Sequence, residues 1–103
     1  MPGKLVRDRI PEIVKASGRT PLVRQLEADE RLVALLDKLQ EEVDELRDAA
    51  TIADRTEEMA DVFEVLLALA ADLGMEWSTV EAAATTKRDE RGGFTDGLWM
   101  ELA

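Results

Sequence analysis

From Met59 to Leu73 apolar side chains occupy most of a helical wheel: Met59, Val62, Phe63, Val65, Leu66, Leu67, Leu69, Ala70 and Leu73 leave little of the circumference polar. A helix apolar nearly all round has to be buried on most of its sides. The long periodic segment before it is different. Leu32, Leu35, Leu36, Leu39, Val43 and Leu46 recur at three- and four-residue intervals and form a single stripe. One such partner covers one side of the second helix and no more. The pattern therefore predicts an all-α chain built on a helical hairpin, about Asp29 to Ala50 and about Arg55 to Leu73, with the bundle completed by oligomerisation. Thr51–Thr56 breaks the periodicity and reads as the link, and Gly74 as the helix stop.

The flanks are shorter. Asp8 or Arg9 is placed to cap a short helix that carries Pro11 in its first turn and ends at Gly18. Gly18–Pro21 reads as a turn, and the alternation Leu22, Arg24, Leu26 permits an extended segment. Ser78 followed by Glu81 has the form of a capping box opening a third long helix to about Arg91, which Gly92–Gly93 ends. Phe94, Leu98, Trp99 and Leu102 predict that the tail docks on the body, with pairing against residues 22–26 as a further extended arrangement. Met59 and Phe63 are expected in the core, and Trp77 and Trp99 in packing contacts rather than stacked on a base. With no internal repeat or linker, the 103 residues read as one domain, 1–103.

Charge and residue types narrow the chemistry. A net charge of −10 repels nucleic-acid backbones and anionic membranes, so neither is an expected partner. The chain holds no Cys and, with His 0, no imidazole, which removes thiol nucleophiles, Cys/His zinc sites and histidine triads. The opening residues carry Lys4, Arg7, Asp8 and Arg9 without the apolar run of a signal peptide, and the apolar stretch Val65–Ala71 is too short to cross a bilayer. A cytoplasmic location is expected.

Two acidic clusters remain, Glu41-Glu42-Val43-Asp44-Glu45 and Glu57-Glu58-Met59-Ala60-Asp61. Each holds a carboxylate pair three residues apart, which a helix sets about 60° apart on one face. Acidic runs on helices are ordinarily solvated faces, and Glu41 and Asp44 fit that description. Glu58 and Asp61 do not, because they interrupt the helix that is apolar elsewhere. A buried unpaired carboxylate costs several kcal/mol and calls for a cation or a proton. Antiparallel helices joined by a short link bring Glu42 and Glu45 toward Glu58 and Asp61. Four carboxylates with no His or Cys form a hard all-oxygen site suited to Mg²⁺, or to Mn²⁺. A bridging divalent cation also lets an acidic protein bind a phosphorylated ligand.

The string Glu41–Glu45, twelve residues, then Glu58–Asp61 resembles the EExxE…ExxD signature of the MazG-type all-α nucleotide pyrophosphatase superfamily. The opening Lys4–Val14 and the closing Lys87–Phe94 resemble its house-cleaning pyrophosphatase branch, so that the resemblance covers most of the chain. It implies a helical bundle, dimeric or tetrameric, that hydrolyses a nucleoside triphosphate, non-canonical or damaged ones included, at the α–β linkage to the monophosphate and pyrophosphate. Glu42, Glu45, Glu58 and Asp61 match the metal ligands, and Glu41 matches the motif's first Glu, placed to orient or deprotonate the attacking water. Lys87, Arg88 and Arg91 are the candidate phosphate clamps, with Lys4, Arg7 and Arg9 beside them. Lys38, one turn before Glu41, reads as a helix-surface ion pair. Phosphoribosyl-ATP is the alternative substrate. A nucleotide-binding module without turnover and a helical oligomerisation module are the non-enzymatic alternatives.

Overall fold

A computed structural model describes residues 3–102; Met1, Pro2 and Ala103, the outer ends of the basic N-terminal segment and of the tail, lie outside the described residues. Four helices follow in order: α1 (Ile10–Ala16), α2 (Ala28–Asp48), α3 (Ile52–Asp72) and α4 (Trp77–Arg91). The described residues contain no strand, and the fold is all-α.

The hairpin of α2 and α3 is the body of the chain. Its link is shorter than the broken periodicity suggested, because α3 begins at Ile52 rather than near Arg55. Thr51 is the reason: its Oγ1 accepts the Asp54 N–H at 3.0 Å and satisfies one of the helix's free first-turn donors. The hairpin's register is legible in its cross-contacts. At the open end Arg31 Nε donates to Asp72 Oδ2 at 2.6 Å. Leu35 packs with Val65 and Leu69 in the buried core, and Leu5, Leu32, Leu39 and Ala68 pack against them. α3 ends where Leu73 passes into Gly74 at φ 74°, a left-handed conformation that glycine adopts without a Cβ penalty. Met75 N–H bonds to Ala70 O at 2.8 Å there, closing the last turn.

Several expectations change. Ser78 does not cap α4: the helix already starts at Trp77, whose ring meets Phe63 edge-on with centroids 5.5 Å apart, and Glu76 stands at the cap without a side-chain hydrogen bond. The tail does not dock. Gly92 at φ 83° ends α4, Gly97 N–H closes a local turn on Phe94 O, and Leu98, Trp99 and Leu102 stay exposed. Residues 22–26 form no strand with it, and Leu22 stands in solvent. Met59 and Phe63 are 59% and 49% exposed rather than core. Val33 and Leu36 on α2, Leu66 on α3 and Leu73 at the C-cap of α3 are also left open by the single chain.

Because the Thr51 hydroxyl caps the first turn of α3, Thr51→Ala should cost about 1 kcal/mol of stability, read as a lower urea midpoint at unchanged slope.

Candidate active site

The register that pairs Arg31 with Asp72 also sets the acids facing one another nearer the link. Glu42, Glu58 and Asp61 each offer an oxygen, and the three lie within 4.8 Å of one another. Glu42 is 4% exposed, whereas Glu58 and Asp61 are half-buried. Glu45 lies beside Glu58 on the solvent side and is close enough to act on its charge. Three of the four expected ligands therefore form one tight group, and Glu45 flanks it. Glu41 points with Glu42 toward Lys38 rather than into the group.

Two cations meet these acids. Lys38 Nζ lies 3.2 Å from Glu42 Oε1 and 3.5 Å from Glu41 Oε1. Arg7 crosses from the N-terminal segment and donates through Nη2 to Asp61 Oδ1 at 2.6 Å. The neutralisation is incomplete. Glu42 Oε2 and Glu58 Oε2 are shielded from solvent without a hydrogen-bond partner. Desolvation foremost, then the neighbouring Glu45 and Glu42 carboxylates, push the Glu58 pKa up to about 7. A proton on Glu58 is thus one way to relieve the crowding, and a bound cation is the other. Burial alone would lower the Lys38 pKa, but its hydrogen bond to Glu42 and the Glu41 and Glu42 charges outweigh that effect and hold it above the usual lysine value. Orphaned buried oxygens in an all-carboxylate set fit a hard divalent cation such as Mg²⁺ or Mn²⁺.

A cavity of about 680 Å³ opens between the N-terminal segment and the hairpin, lined among others by Arg7, Arg9, Arg31, Lys38, Glu42 and Asp61. A second, of about 1340 Å³, is lined by Lys4, Arg24, Lys38 and Glu41 among others. Of the expected clamps, Arg7 and Arg9 therefore share a cavity with Glu42 and Asp61, while Lys4 lines the second cavity with Glu41. Lys87, Arg88 and Arg91 stand exposed on α4 and line neither cavity. Sequence reading passed over Arg31, two turns before Lys38 on the same side of α2; that seven-residue spacing was the available signal.

The family model for phosphoribosyl-ATP pyrophosphohydrolase matches residues 4–88, a span that takes in the N-terminal segment, the whole hairpin and most of α4. An uncharacterised protein of Mycolicibacterium smegmatis is 62% identical over 48 residues, 47% of this chain and 49% of the relative, so the match spans about half the relative's length. No solved structure matches the chain.

The raised Glu58 pKa fixes the sign of a pH effect. The folded chain holds this proton more tightly than the unfolded chain, so the associated stability is full below the ordinary glutamate range and is lost as pH rises through about 7. In metal-free buffer the melting temperature should fall as the pH is raised from about 5 to about 8, and Glu58→Gln, which carries no titrating proton, should flatten that slope.

Proposed function

The chain belongs to the phosphoribosyl-ATP pyrophosphohydrolase family, within the MazG-like all-α superfamily, and from that premise we propose that it hydrolyses a nucleotide at the α–β phosphoanhydride in a Mg²⁺-dependent reaction releasing pyrophosphate. The observation that carries this reading is the convergence of Glu42, Glu58 and Asp61 with two buried oxygens left unpaired, inside the span that matches a pyrophosphohydrolase family. Members of that family are pyrophosphohydrolases, metal-dependent in general. No helix of the described residues is long and apolar enough to cross a membrane, and the proposed setting is the cytoplasm.

In the proposed site Glu42, Glu45, Glu58 and Asp61 hold the cation, whose chemistry when bound is to neutralise phosphate charge and acidify water. The chain's own groups do the rest. Glu41, held beside Lys38 at the rim, accepts the proton of the attacking water. Arg7 and Lys4 bind substrate phosphates from the N-terminal segment, and the charge of the triphosphate competes with Asp61 for the Arg7 guanidinium. Lys87, Arg88 and Arg91, which line neither cavity, would serve as phosphate clamps from α4 in the site of another copy. A homo-oligomer supplies that arrangement and covers Met59, Phe63 and Leu66, in keeping with the apolar circumference of α3. Residues 1–103 act as one domain in this reading.

The family's description puts phosphoribosyl-ATP ahead of a free nucleoside triphosphate as the first substrate to test. Both share the α–β bond and the leaving pyrophosphate. The acidic motif favours neither, and a panel of phosphoribosyl-ATP with ordinary, deoxy and damaged triphosphates separates them by pyrophosphate release.

Glu58→Gln and Asp61→Asn should each lower pyrophosphate release by about 100-fold or more while the far-ultraviolet circular dichroism stays that of a helical protein. Saturating Mg²⁺ should raise the melting temperature of the parent and not of either variant. Parental turnover in both variants would remove the site.

A further inference from the structure

Lys38 is more deeply held than a surface ion pair requires. Its side chain is 20% exposed and that of its partner Glu42 is 6% exposed. Along α2 the lysine precedes the glutamate by four residues, the less favourable order for a helix-surface pair, so little helix stability explains the contact. What the contact does is geometric. Glu41 and Glu42 are adjacent and leave the helix about 100° apart. One ammonium, at 3.5 Å and 3.2 Å, gathers both carboxylates to one side. Because Lys38 takes Glu42 Oε1, the other oxygen, Oε2, is left buried and without a partner, on the residue that shares the tight group with Glu58 and Asp61.

We propose that Lys38 is a positioning residue, which fixes the Glu42 carboxylate so that one oxygen is presented for divalent-cation capture while Glu41 is held at the rim beside it. This rests on the reading of the acidic group as the metal site. The proposal competes with a simpler role, charge balance, in which Lys38 merely offsets an excess of negative charge. The two roles predict opposite signs. A charge-balancing lysine repels an incoming cation, so removing it tightens metal binding. A positioning lysine supplies order worth more than that repulsion, so removing it weakens metal binding. Groups that orient metal ligands typically account for about 10–100-fold in affinity.

The experiment is calorimetric titration of Mn²⁺ into the full chain without nucleotide, for the parent, Lys38→Gln and Lys38→Arg. Lys38→Gln is expected to weaken Mn²⁺ binding by about ten-fold, and Lys38→Arg, which keeps the charge and the donors, to restore most of it. Mn²⁺ binding by Lys38→Gln as tight as the parent's, or tighter, would overturn the proposal. So would a lowered metal-free melting temperature with Mn²⁺ affinity unchanged, the signature of a merely structural lysine. Lys38→Met, which keeps the apolar stem, is read by the same criterion if the glutamine variant does not melt cooperatively. Absence of Mn²⁺ binding in the parent would remove the acidic site itself, a result distinct from parental binding that ignores position 38.

Discussion

The mutual repulsion of Glu42, Glu58 and Asp61 is the constraint around which the rest of the chain is arranged. Helix packing sets these carboxylates within 4.8 Å of one another, and Glu45 adds its charge at the edge. Left alone, such a group would drive the hairpin apart. The chain opposes this with cations of its own. Lys38 draws off one face of Glu42, Arg7 reaches Asp61 from the N-terminal segment, and Arg31 with Asp72 clasps the far end of the hairpin. Even so, two oxygens remain unmatched. A site built with surplus negative charge in a partly dry setting is a site for an added cation or proton.

The hydrophobic part of the molecule is correspondingly lean. Among the described residues Leu35, Val65, Leu69 and Ala70 are the buried apolar ones, and Leu5 ties the N-terminal segment to the core. That tie does two things at once: it extends the core and it brings Arg7 over the acids. The broad apolar surface of α3 is met by α2 on one side, by Trp77 at Phe63, and by solvent over Met59 and Leu66. Burial of a stripe this wide needs more helices than one chain packs around it.

Much of this was legible in the residues. The period of the leucines gave α2, the near-continuous apolar circumference gave α3, and the acids interrupting it marked the carboxylates that the hairpin brings together. What was not legible depended on contacts between distant residues. The start of α3 turned on a single hydroxyl at Thr51, invisible to a periodicity argument because Ile52 and Ala53 carry little amphipathic signal. Ser78 and Glu81 satisfied a local pattern that Trp77 overrode by packing on Phe63. The apolar tail residues looked like core by composition, but glycines at 92 and 97 turn the chain away before they meet the hairpin. Lys38 read as surface because a lysine four residues before a glutamate usually is. Its burial follows from the depth of Glu42, which sequence spacing does not encode.

The nearness of the acids along the chain, from Glu42 to Asp61 across a capped turn, bears on how the protein reaches its native state. A loop of this length, closed by two adjoining helices, costs little chain entropy. Closing the hairpin brings its own like charges together. The closing of the hairpin and the geometry of the candidate site are then properties of one short stretch of chain.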